Sequence, residues 1–419
     1  MRRLTKGHPR KLSADSERLI AFAEAIMQSS SRIEERRWEG RIDSVLQKLL
    51  KTSSQDSIDQ ALDQCFKIQS AVYDVLMEAV EANAESLQLT HDGVTYDALL
   101  IAAPILAWTR FSIASGPISS DLLATLSAHL YAHILAPDVR MAMAPTLFSI
   151  DQLPPSHAAT LALTQQLAQA ALKGSASRAP AKTPETAPFL ADTRFLLAAI
   201  VAPAGQPMFG WEVSHVASTR ETALAQWKAQ AQPNLARLMP GCGLELMLPE
   251  AYFVACRAAD KLIRPTSIHA AVHFLTHALD VEPRALQAII GGFGEDTTLD
   301  QIDEYRIGFA LESNQEVLYG VVWTLFGQEE AADAEQESDV DAPSPRLLET
   351  DVLPPVVSPM EEILTTLREA GITHIKRHPG CFAMESCDDC GAPFFLDIEG
   401  ELVHAEMPEE LPQGPAHFH

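Results

Sequence analysis

Cys387-Asp388-Asp389-Cys390, followed at once by Gly391, is the stretch whose residue types and spacing point most directly to chemistry. A Cys-x-x-Cys-Gly turn lets two thiolates converge on one tetrahedral ion, and the glycine frees the backbone for the bend behind them. A redox dithiol has the same spacing but opens a helix, whose N-terminus depresses the thiol pKa. Here the pair runs into Gly391-Ala392-Pro393 and Phe394-Phe395-Leu396, then Ile398-Glu399-Gly400-Glu401 and Leu402-Val403-His404. Strand, glycine turn, strand is a hairpin pattern, so a metal knuckle on a small ribbon is expected.

A tetrahedral site takes four ligands. His404 is the expected third, because the return strand brings it back beside the knuckle. Cys381, in His378-Pro379-Gly380-Cys381, is the expected fourth, with His378, His417 and His419 competing for the place. The ion expected is zinc in a structural role, since nothing points to an open catalytic position. The competing reading is a metal-free hairpin with two reduced cysteines.

Other groupings carry less. His269, His273 and His277 share a helical stripe, as do His129 and His133, but no glutamate lies beside them to act as a base. A solvent or interface stripe is the simpler reading. Arg257, Asp260 and Arg264 line one side of a helix and read as an exposed ion-pair ladder. Gly291-Gly292-Phe293-Gly294 follows a predicted helix rather than a strand, so it reads as a helix C-cap and turn, not a dinucleotide loop. Cys65 falls on an apolar stripe and is expected in a core. Cys242 has no base nearby in sequence, and Trp108 and Trp211 read as packing residues at strand ends.

The elements that must position these groups form an α+β chain. Residues 12–86 are expected as a helical segment, with a capping box at Ser31-Arg32-Ile33-Glu34 and a third helix running from Ile58 through Leu76. A hairpin turns at Asp92-Gly93 and opens a first α+β unit over 87–173. A connector rich in Ala, Pro, Ser and Thr covers 174–188. A second, related unit is expected over 189–327, beginning with the strand from Phe195 to Pro203 and ending in a hairpin that turns at Ser313-Asn314. The sheets are expected to be mostly antiparallel or mixed. An acidic linker spans 328–358, and residues 359–410 are expected as a C-terminal helix, starting at Pro359, followed by a zinc-ribbon-like hairpin.

Composition narrows the partners. The 419 residues carry 31 Lys+Arg against 56 Asp+Glu, a net charge of -25, which repels phosphate backbones and disfavours nucleic acid. There is no apolar run long enough for a bilayer, and the basic N-terminal residues lack the apolar region of a secretory signal. Six scattered cysteines are no disulfide framework, so a reducing cytoplasm is expected.

Further residues bear a resemblance. Tyr96-Asp97-Ala98-Leu99-Leu100, Ala102-Ala103-Pro104, Phe189-Leu190-Ala191-Asp192-Thr193-Arg194, Ala255-Cys256-Arg257-Ala258-Ala259-Asp260, Tyr305-Arg306-Ile307-Gly308-Phe309 and the knuckle itself are involved. On them, nearly the whole chain resembles a bacterial family known as domain of unknown function 2863. The resemblance implies a common architecture and lends weight to the knuckle, but brings no catalytic residue, substrate or cofactor. The leading expectation is therefore a non-catalytic binding or regulatory protein, with an unidentified protein or small molecule as partner. The alternative is an enzyme with a pocket between the two α+β units, built from Asp192, Arg194, Arg257 and Asp260.

Overall fold

The computed structural model describes residues 12–177, 189–213, 219–295, 301–313, 316–326 and 358–406. Most of the expected connector at 174–188, nearly all of the acidic linker at 328–358, Asn314 of the expected turn, and His417 and His419 lie outside the described residues. The architecture is α+β with antiparallel and mixed sheets. Among the described residues, no helix is long and apolar enough to cross a membrane. The chain divides into two compact units: residues 1–107, 114–188 and 193–260 form one, and 108–113, 189–192 and 261–419 the other.

In the first unit, four helices come first: α1 (Ala14–Met27), α2 (Arg32–Lys51), α3 (Gln55–Ile68) and α4 (Ser70–Glu85). Ser13 and Ser31 cap the first two by accepting from Ser16 N and Glu34 N, satisfying amides that have no partner within the helix. Leu19, Ile42, Leu46, Ile58 and Leu76 interlock in one core, where Cys65 is also buried. The single helix expected from Ile58 through Leu76 is two, because Gln69 adopts an extended φ of -162°. The apolar period continues on both sides of the break, so periodicity alone could not expose it.

The first unit's sheet is built from β1 (Ser86–His91), β2 (Val94–Trp108), β3 (Gly116–Pro117), β4 (Arg140–Ser149) and β5 (Ala191–Pro203), ordered β1-β2-β5-β4-β3. Helices α5 (Ser120–His133), α6 (His157–Lys173) and α7 (Arg220–Leu238) accompany it, and β6 (Gly243–Leu246) and β7 (Glu250–Ala251) pair with β2. The expected hairpin is present: Asp92 and Gly93, at φ 51° and 78°, give the left-handed pair that such a turn needs. Strand β5, expected to begin a second unit, lies between β2 and β4. Strands buried on both faces read as continuous apolar runs, and such a run does not specify its neighbours.

The second unit has a four-stranded sheet. Helix α8 (Tyr252–Leu279) reaches into it from Lys261 onward, and β8 (Leu286–Gly294), β9 (Glu304–Leu311) and β10 (Val317–Thr324) form an antiparallel meander. Helix α9 (Pro359–Glu369) is capped by Ser358 with Pro359 in its first turn, as expected. It leads to β11 (His374–Ala383), which joins the edge parallel to β8. Ile268, Leu275, Ile363 and Leu367 pack with Ile290, Ile307 and Trp323 in one core. The segment expected after the acidic linker as a helix and ribbon thus contributes its helix to this unit's core and a strand to its sheet.

The run Gly291-Gly292-Phe293-Gly294 is the buried end of β8, not a helix C-cap and turn. Its glycines are required by contact. A Cβ on Gly291 would lie 2.2 Å from Leu396 Cδ1, and one on Gly292 would lie 2.6 Å from Ile302 Cδ1. Leu396, which excludes a side chain at Gly291, comes from a distant segment, invisible to a local reading.

Candidate metal centre

The knuckle is a backbone device first. Gly391 N donates to Cys387 O at 2.8 Å, and Gly391 takes φ 74°, where a side chain would be strained. Cys387 N donates to Ala392 O at 2.8 Å, and an isolated bridge joins Ser386 to Pro393. Beyond it, β12 (Phe395–Leu396) and β13 (Leu402–Val403) form the expected hairpin. Its turn is organised by Asp397, whose carboxylate accepts from Glu399 N and Glu401 N at 2.9 and 2.8 Å. That turn returns the chain so that His404 stands beside the cysteines.

The ligand atoms of Cys387, Cys390 and His404 all lie within 4.8 Å of one another. Cys390 Sγ and His404 Nε2 are 3.1 Å apart. Around a tetrahedral zinc with Zn–S near 2.3 Å and Zn–N near 2.0 Å, neighbouring donors sit about 3.5–3.8 Å apart, so small side-chain adjustments would admit the ion. The second imidazole nitrogen supports the fit. His404 Nδ1 is buried without a well-aligned hydrogen bond, yet lies 3.2 Å from a Glu406 carboxylate oxygen. A carboxylate behind a ligating imidazole fixes its tautomer and raises its basicity. The Cys387 thiol is held below its ordinary pKa by the backbone amides of Cys390 and Asp389, together with the Cys390 side chain. Two thiols and an imidazole make a donor set suited to zinc.

Cys381 does not join this group. It sits on β11 opposite Gly292, and its Sγ donates to Gln301 O at 3.3 Å. A Cβ on Gly294 would lie 2.9 Å from that sulfur, so the thiol fills space against the end of β8. Pairing with β8, rather than proximity in sequence to the knuckle, decides where it points. His378 is also turned elsewhere, with Nε2 2.9 Å from Asp397 O.

What anchors the knuckle was not read from the sequence. Arg306 in β9 is 3 % exposed and donates to the carbonyls of Glu385 and Phe394, at 2.8 and 2.7 Å. These two carbonyls flank the knuckle loop. Its Nε donates to Glu304 at 2.6 Å, which neutralises the buried guanidinium. Phe395 and Leu396 insert against Ile289, Phe293, Ala310 and Val317. Gly320 is bare beneath Phe395, because a Cβ there would come within 2.1 Å of the ring. Burying two such side chains stabilises the docked ribbon by about 1.5–3 kcal/mol each. One available signal was a charged residue inside an otherwise apolar strand, Tyr305-Arg306-Ile307-Gly308-Phe309.

The remaining expected residues are placed differently. Arg194 is 2 % exposed and donates to the carbonyls of Ala114 and Thr193. Arg257 pairs with Glu81 of α4, whereas Arg264 is buried rather than exposed and donates to the carbonyls of Lys261 and Thr324. His273 and His277 have ring centroids 4.1 Å apart, and His277 Nδ1 lies 2.9 Å from His273 O. Trp108 is 36 % exposed rather than in a core, whereas Trp211 stacks on Phe209 at 4.6 Å.

A polar cluster also escaped the sequence reading. Glu85, at the end of α4, accepts from Phe253 N at 2.9 Å and so caps α8 from outside that helix. Burial pushes its carboxyl up to about 7. Burial and the charge of Asp260 push the Cys256 thiol up, while the Tyr252 hydroxyl opposes them. Burial raises Tyr252 as well.

This chain belongs to the family described as a protein of unknown function (DUF2863), which matches residues 4–418. No curated protein and no solved structure matches it.

Proposed function

We propose that this chain is a non-catalytic binding or regulatory protein of a reducing cytoplasm, in which one zinc ion closes the C-terminal ribbon. The observation that carries the reading is the convergence of one ligand atom each from Cys387, Cys390 and His404 within 4.8 Å of one another, with Cys390 Sγ 3.1 Å from His404 Nε2. The ion joins the knuckle to the strand that returns from the Asp397 turn, so its work is to hold the ribbon's outer edge. The inner edge is held by Arg306 and by Phe395 and Leu396. With those contacts in place, the ribbon's attachment does not depend on metal alone. Zinc sets the shape of the exposed loop carrying Asp388 and Asp389, and that loop is the surface offered to a partner.

Elemental analysis of the full chain, purified under reducing conditions without chelator, tests this. The expected content is about one zinc per chain. It is lost in Cys387→Ser and Cys390→Ser, reduced in His404→Ala, and retained in Cys381→Ser. Protein that contains no zinc and takes up none on titration overturns the reading.

A further inference from the structure

Strand β11 leaves β8 for three residues. Arg377 is paired with Ile290, Cys381 is paired with Gly292, and His378-Pro379-Gly380 arch outward between them. Gly380 takes φ 91°, which permits the arch to turn. The arch is fastened from behind: His378 Nε2 lies 2.9 Å from Asp397 O, and a Cβ on Gly400 would stand 3.2 Å from the imidazole.

Between the arch and β8 lies a cavity of about 420 Å³, within the range of small-molecule sites. Gly291 and Gly292 bring backbone to its wall, and Ile290, Ile302, Met360 and Tyr305 supply apolar and aromatic surface. Its basic lining residues are Arg377 and His378, and none of the lining residues is acidic. That is unusual in a chain with 56 Asp+Glu against 31 Lys+Arg. Arg377 is exposed, and its side chain makes no hydrogen bond or ion pair with another described residue. A guanidinium with no partner among the described residues, at a cavity lined by apolar side chains and polar backbone and by no described carboxylate, is arranged to receive an oxyanion.

We propose that this cavity binds a small amphiphilic oxyanion, with its apolar body between Ile302 and Met360 and its anionic head on Arg377. The site is separate from the knuckle ligands, so it stands or falls independently of the zinc reading.

The test uses the full chain labelled with 15N-glycine, titrated with octanoate and with phenyl phosphate, and with 1-octanol and phenol as neutral counterparts. The expected result is saturable movement of the Gly291, Gly292 and Gly380 amides with an anion but not with its neutral counterpart. The arm that binds more tightly tells a carboxylate head from a phosphate head. Arg377→Ala should weaken binding roughly tenfold or more, and Arg377→Lys should retain part of it. Three results overturn the proposal: equal binding by Arg377→Ala, equal binding of the neutral compounds, or no movement of these amides with any probe. The last would leave Arg377 as a charge guarding a sheet edge.

Discussion

Cys387 and Cys256 carry the same functional group and are driven in opposite directions. At the knuckle, backbone N–H groups of Cys390 and Asp389 face the Cys387 sulfur and favour the thiolate. At the start of α8, burial and the negative charge of Asp260 oppose ionisation of Cys256. The knuckle environment is made within a few residues of chain. The Cys256 environment needs Glu85 from α4 as well as Tyr252 and Asp260. A thiol's chemistry is therefore readable from sequence where adjacent backbone sets it, and unreadable where burial by the rest of the fold does.

The sharpest way to break this comparison is alkylation. At pH 7 in chelator, iodoacetamide should modify Cys387 at least ~100-fold faster than Cys256, because the thiolate is the nucleophile. Peptide mass spectrometry measures both rates in one sample, and comparable rates would remove the contrast. Zinc should protect Cys387 and leave Cys256 unchanged.

Arg306→Met tests the ribbon's support apart from its cysteine knuckle. It leaves the Glu304 carboxylate and two loop carbonyls without their buried partner, and should cost about 3–5 kcal/mol in urea unfolding. A loss below about 1 kcal/mol would mean that Arg306 does not hold the knuckle.

Glu85→Gln gives a smaller effect with a definite sign. The folded carboxyl titrates at about 7 against an ordinary 4.5. The native state therefore holds this proton more tightly than the unfolded chain. The stabilisation is complete below the ordinary value, declines as pH rises towards 7, and is gone above it. Glutamine keeps an acceptor for Phe253 N without the charge. The variant should gain about 1–3 kcal/mol on the wild type at pH 8, with the difference shrinking towards pH 5. Parallel stability profiles for the two proteins would show that Glu85 is not the buried acid.

Much of the local structure was legible. Ser31 and Ser358 mark helix starts because a short side chain can reach the free amides of the first turn. Asp92-Gly93 marks a hairpin because both positions need φ above zero. The knuckle pair, the glycine turn and the return to His404 needed only spacing within one short segment. Cys381 failed for the complementary reason: only a few residues from Cys387, it is committed to β8 by strand pairing. Gly291 failed in the same way, since the side chain that forbids a Cβ there is Leu396.

The amino-acid order by itself determined the bends, the caps and the grouping of Cys387, Cys390 and His404, because each depends on backbone preferences over a short stretch of chain. Only the folded chain decided that Arg306 grips the loop, that β5 lies between β2 and β4, and that β11 arches over a cavity. Those outcomes depend on which distant surfaces bury one another. An apolar run records that it must be covered, but not by what.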